Sequence, residues 1–147
     1  MPSDTARLAR TDSGLASALA VSVARLSRRL RQERDSDLTA TQLSALGSIR
    51  RHDSLTIGAL AAFERVQPPS MTRTVSCLLD RGMVTRTASP TDGRQVVVSV
   101  SDEGLELLDA ERRRRDAWLA KRLREMSPAD RDLLRQAAPL LEGLAQA

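Results

Sequence analysis

The hydrophobic period of this chain changes at Gly82, and that change restricts the folds open to it more than any other feature. Upstream, apolar residues recur at spacings of three and four, the mark of amphipathic helices. Downstream, Val84, Arg86 and Ala88 alternate with Thr85, Thr87 and Ser89, and the stretch from Gln95 to Ser101 is rich in valine. Between these two runs lies Pro90-Thr91-Asp92-Gly93-Arg94, whose Asp-Gly pair predicts a tight turn and hence a hairpin. Helical spacing returns after Ser101. A length of 147 residues suits one compact domain. The chain is therefore expected to be mainly α with one small β-hairpin.

The helices can be placed by their caps. Residues 1–12 are small and polar and read as a flexible arm. Leu15, Leu19, Val23, Leu26 and Leu30 predict a helix from Ser13 to about Arg34, broken by Asp35-Ser36-Asp37. Thr39 and Gln42 form a capping box for a second helix, whose apolar face is Leu43, Leu46 and Ile49 and which ends near His52. A third opens at Thr56, with Ile57, Leu60 and Ala61 inward. Pro68-Pro69 cannot lie inside a helix but can start one, so a fourth runs from Pro69 to Arg81 on Met71, Val75 and Leu78. Gly82 supplies its left-handed cap. Ser101 caps a long helix reaching Met126, and Ser127-Pro128 opens a last one that Pro139 is expected to interrupt and bend. Two short helices, a tight turn and a hairpin make a winged helix-turn-helix over residues 36–101. Residues 13–35 and 102–147 read as a helical dimerisation region, too small to bury a core without a second chain.

Composition removes most chemistry. Cys77 and His52 are single, so neither a disulfide nor a Cys- or His-paired metal site can form within the chain, and no metal or other cofactor is expected. The glycines stand too far apart for a phosphate loop. No nucleophile has a base at motif spacing, so an enzyme is not expected. No apolar run approaches the roughly 20 residues of a membrane span, and the first residues lack a secretion signal, so a cytoplasmic location is expected. The net charge is +4, and 22 of the 23 basic residues are arginine. Arginine suits bidentate contact with phosphate and guanine. Phe63 and Trp118 are the only aromatic residues, which disfavours base stacking on single strands. If nucleic acid is the partner, double-stranded DNA read through a groove is expected rather than a single strand. From Arg65 to Arg94, five arginines face two aspartates, a local excess of +3. The run Arg112–Arg115 is set among Glu106, Asp109, Glu111 and Asp116 and reads as a solvated or ion-paired face. Cys77, beside Leu78, reads as a packed thiol.

Three motifs carry a family likeness: Leu78-Leu79-Asp80-Arg81-Gly82-Met83-Val84-Thr85-Arg86, then Pro90-Thr91-Asp92-Gly93-Arg94, then Val100-Ser101-Asp102-Glu103-Gly104. With them the chain resembles the MarR family of bacterial transcription regulators over about residues 13–146. The resemblance implies homodimers, each protomer carrying one winged helix, that bind pseudo-palindromic duplex DNA, most as repressors. It implies a recognition helix with Pro69, Ser70, Met71, Thr72, Arg73 and Ser76 toward DNA, Ser70 and Thr72 as donors. It also implies a wing in which Arg94 enters the minor groove, Asp92 holds it, and Arg86 lies at the base. Met71 suits either a thymine methyl or the core.

A small anionic or apolar effector is implied in a cleft near Leu46, Arg50 and Leu105. With so few aromatic residues, salicylate-like compounds are expected to bind weakly, on the order of millimolar. A winged-helix interaction module that does not read DNA is the alternative, and it would not need the basic strip.

Overall fold

The computed structural model describes residues 4–147. In chain order the elements are α1 (Asp4–Leu8), α2 (Asp12–Arg31), α3 (Ala40–Arg51), β1 (Ser54–Leu55), α4 (Ile57–Glu64), α5 (Pro68–Asp80), β2 (Val84–Ala88), β3 (Val96–Val100), α6 (Asp102–Arg124) and α7 (Pro128–Ala145). They form two compact units. One holds residues 35–113, and the other holds the segments before and after it, so α6 contributes to both.

The central unit is built on three helices and a sheet. Thr39 and Gln42 form the expected capping box, each side chain taking the other's backbone N–H at 3.1 and 3.0 Å. Thr56 caps α4 through the amide of Ala59, and both prolines sit in the first turn of α5. Leu46, Ile49, Leu60, Met71, Val75, Leu78 and Val98 are fully buried and form one core with Leu38, Leu43, Leu55, Val84 and Leu108. Glu64 accepts the hydroxyls of Ser44 and Ser48 at 2.7 and 2.5 Å, fixing α4 on α3. Asp109 accepts from Arg50 at 3.0 Å, and Glu111 accepts the backbone N–H groups of Asp35 and Ser36. The first half of α6 is thereby fastened to this unit.

The sheet has three strands in the order β1-β3-β2, all antiparallel. The expected hairpin is β2–β3, with Val84 opposite Val100 and Ala88 opposite Val96. The third strand, β1, pairs Ser54 with Ser99 and Leu55 with Val98 and lies outside the sequence expectation. Two residues show no period, so their strand character comes from β3 rather than from their own pattern.

Gly82, at φ 72°, ends α5 in the expected left-handed conformation. Met83 N–H donates to Leu78 C=O at 2.9 Å and Gly82 N–H to Leu79 C=O at 3.0 Å, a Schellman pair. Ser101 then joins this helix end to α6. Its hydroxyl donates to Gly82 C=O at 2.5 Å and accepts from Gly104 N–H at 3.1 Å, while its N–H donates to Met83 C=O at 3.0 Å. Arg65 ends α4 at φ 53°, a left-handed conformation at a residue that carries no glycine or asparagine signal.

In the other unit, α1 occupies part of the stretch read as a flexible arm. Asp4 in its first turn favours the positive helix end. Thr11 caps α2 through Gly14 N–H, and Ser127 caps α7 through Asp130 N–H. Helix α7 runs on through Pro139 instead of being interrupted there. The guanidinium groups of Arg29 and Arg122 lie over the half-buried Trp118 ring, 4.4 and 5.5 Å from its centroid. Helix α7 buries no residue, and Leu133, Leu140 and Leu144 are each at least 65% exposed.

Candidate nucleic-acid interface

Helix α5 divides into two faces. Met71, Val75 and Leu78, spaced by four and three, point into the core, and this assigns Met71. Met71 is fully buried and is not a DNA contact: its position on the apolar stripe leaves the side chain no outward path. The opposite face carries Pro69, Thr72, Arg73 and Ser76, all exposed, with Ser70 half-buried beside them.

The polar groups on this face have defined partners. Arg73 Nη2 donates to Ser70 Oγ at 3.3 Å, which leaves the Ser70 hydroxyl proton for an outside acceptor. Thr72 Oγ1 lies 3.0 Å from Pro68 C=O, and Thr74 Oγ1 lies 3.1 Å from Ser70 C=O. A carbonyl has no proton to give, so both threonine hydroxyls are donors inward. With its proton directed inward, the exposed Thr72 hydroxyl has its lone pairs left for an outside donor, whereas the family resemblance implies a donor.

A hollow of about 450 Å³ opens beside this helix, lined by Ser70, Arg73, Thr74 and Cys77 with Val66 and with Thr39, Thr41 and Gln42 from the start of α3. The three α3 residues were not candidates from sequence, although their capping box marks an exposed helix start. Cys77 is exposed rather than packed. Its neighbour Leu78 is buried, but one residue along a helix is about 100° around it, so adjacency gave the wrong face.

In the wing, Asp92 accepts the backbone N–H of Arg94 at 3.1 Å, while Ser89 Oγ accepts the N–H groups of Thr91 and Asp92 at 3.4 and 3.3 Å. Asp92 therefore shapes the turn through the Arg94 backbone, where the family pattern implied contact with its side chain. Arg86 and Arg94 are exposed. Arg81 is engaged: it donates to both carboxylate oxygens of Asp37, at 2.5 and 2.8 Å. This bidentate hydrogen bond, and then the guanidinium charge, hold the Asp37 carboxyl below the ordinary carboxylate range and push Arg81 up.

The three residues expected to line an effector cleft do not share an open surface. Leu46 belongs to the core with no exposure, because the stripe Leu43–Leu46–Ile49 turns inward as a whole. Arg50 is paired with Asp109, and Leu105 is 37% exposed. Among the described residues no cluster of His, Cys, Asp or Glu is arranged to hold a metal ion, and no helix is long and apolar enough to cross a membrane.

Comparison with known proteins agrees with this architecture. The model of the MarR family matches residues 38–96. The chain is 50% identical to the uncharacterized HTH-type transcriptional regulator Mb0904 of Mycobacterium bovis over 91% of its own length and 94% of the relative's. It is 29% identical to the HTH-type transcriptional repressor MdtR of Bacillus subtilis, over 75% of this chain and 69% of MdtR. A crystal structure assigned to a Pseudomonas aeruginosa transcriptional regulator superposes with a TM-score of 0.85 at 35% identity, covering 94% of this chain and 98% of the other. The chain belongs to the MarR family, whose members are transcription regulators and not enzymes.

Proposed function

We propose that this protein is a homodimeric, cytoplasmic repressor that binds a pseudo-palindromic DNA duplex. The observation that carries the reading is the division of α5 into a buried face, Met71, Val75 and Leu78, and an exposed polar face, Pro69, Ser70, Thr72, Arg73 and Ser76. A helix so divided, with no acidic residue in its first turn, suits the negative potential of a major groove. Arg73 addresses guanine or phosphate, Ser70 donates to phosphate, and the wing arginines Arg94 and Arg86 address the neighbouring minor groove and backbone.

Dimerisation is supported by the apolar residues that the outer helices leave uncovered: Leu15, Leu19 and Leu26 on α2, and Leu133, Leu140 and Leu144 on α7. Such a surface on a single chain is a burial site for another. The domains then follow: residues 36–101 read DNA, and 13–35 with 102–147 join the protomers. The repressor sign rests on the likeness to MdtR. For a small effector, the proposed contacts that remain are Arg50, ion-paired with Asp109, and the partly exposed Leu105. The effector's action requires tighter binding to the DNA-incompetent state.

The test is footprinting of the full-length protein on the DNA upstream of its own gene. A protected site with two half-sites about 10 base pairs apart is expected. Absence of protection there and on genomic fragments at low salt would reject the reading.

A further inference from the structure

The hydroxyl geometry of α5 carries an inference about which base groups the helix reads, and it rests on the proposed DNA-binding role. We infer that Thr72 is a specificity residue that acts as a hydrogen-bond acceptor, selecting a base that presents an exocyclic amino group in the major groove, adenine N6 or cytosine N4. The Thr72 proton is committed to Pro68 C=O at 3.0 Å, one turn back, while the side chain is exposed. What Thr72 offers outward is oxygen lone pairs. A phosphate oxygen has no proton to share, so Thr72 in this state is not a backbone contact. Guanine O6 and N7 and thymine O4 are acceptors as well and would leave both partners unpaired.

Ser70 and Arg73 complement it. Ser70 Oγ already accepts from Arg73 Nη2, which leaves the Ser70 proton and the remaining Arg73 N–H groups to donate outward. Three neighbouring positions thus alternate in polarity, donor at Ser70, acceptor at Thr72, donor at Arg73. Composition alone cannot reveal this, because serine and threonine can play either part.

The experiment is selection of the full-length protein and of T72V on a randomised duplex pool, followed by base analogues at the position the variant affects. Valine keeps the branched shape and puts a methyl group in place of the hydroxyl. One position per half-site should lose its preference, a change of roughly threefold to tenfold, with the other positions and the Tm unchanged. T72S, which can make the same inward bond, should keep the preference.

Replacing the base at that position by an analogue lacking the amino group (purine for adenine, pyrimidin-2-one for cytosine) should weaken the wild type by the same factor and T72V not at all. An unaltered T72V profile, a uniform loss across all positions at the same Tm, or coupling to N7 in 7-deazapurine duplexes instead of to the amino group would overturn the inference. A pool in which the wild type enriches nothing would overturn the DNA-binding reading itself.

Discussion

Arg81, the C-cap of α5, donates through two guanidinium nitrogens to both carboxylate oxygens of Asp37, 44 positions earlier in the chain. The pair ties the end of α5 to the loop before α3, and it removes Arg81 from the set of cations open to DNA. Of the five arginines in the basic strip, this one has a structural task.

The bridge gives a pH dependence whose sign is fixed. Asp37 titrates below its ordinary value of 3.8 in the folded chain, so its contribution to stability is fully present above that pH and is lost as pH falls through the lower folded value. D37N should be less stable than the wild type at pH 7 in urea unfolding. Because both groups are exposed, the deficit should be small. It should shrink as the pH drops below 3.8. A deficit independent of pH would remove the ionic account.

Two glycines should respond oppositely to alanine. A Cβ at Gly104 would lie 2.7 Å from Val100 Cγ1 and closer still to the carbonyl oxygen of Met83, which is backbone and held by Ser101. G104A should cost about 1–3 kcal/mol through overpacking. At Gly47, inside α3, a Cβ meets nothing within 4 Å. G47A should therefore stabilise by about 0.5–1 kcal/mol through helix propensity. Chemical denaturation of the two variants checks both signs.

Much of this fold is legible because its caps are local. Thr39, Thr56, Ser101 and Ser127 each accept an N–H three residues on, and Gly82 takes the left-handed conformation that its residue type favours. What sequence does not reveal is set by neighbours distant in the chain. β1 exists because β3 offers it a ladder, and Arg65 is left-handed without a residue that asks for it. At the candidate interface the polar face of α5 follows from its periodicity. The exposure of Cys77 and the burial of Leu46 follow from the same helical period, whereas the inward hydrogen bond of the Thr72 hydroxyl needed a placed backbone.

Stability and DNA binding should separate along α5. M71A removes a fully buried side chain and should cost about 2–5 kcal/mol. S76A alters an exposed position and should leave Tm unchanged while changing DNA affinity. A Tm for M71A equal to that of the wild type would return Met71 to the surface.

The uncovered leucines of α7 should govern assembly. L133Q with L140Q removes two residues that are 65% and 70% exposed, so the cost within a single chain is slight. Sedimentation should find a dimer for the wild type and a shift toward monomer for the double variant, with the helical circular dichroism of the central unit retained. A dimer unchanged at the same concentrations would exclude this face as the interface.

On the proposed reading, the outer face of α5 and the wing together hold duplex DNA. Fluorescence anisotropy of the labelled upstream duplex, titrated with wild type and with the R73A/R94A double variant over a salt series, tests it most directly. Wild-type binding should be steeply salt-dependent, and the double variant should bind at least about tenfold more weakly, with a shallower salt slope and an unchanged Tm. Wild-type affinity and slope in the double variant would contradict it.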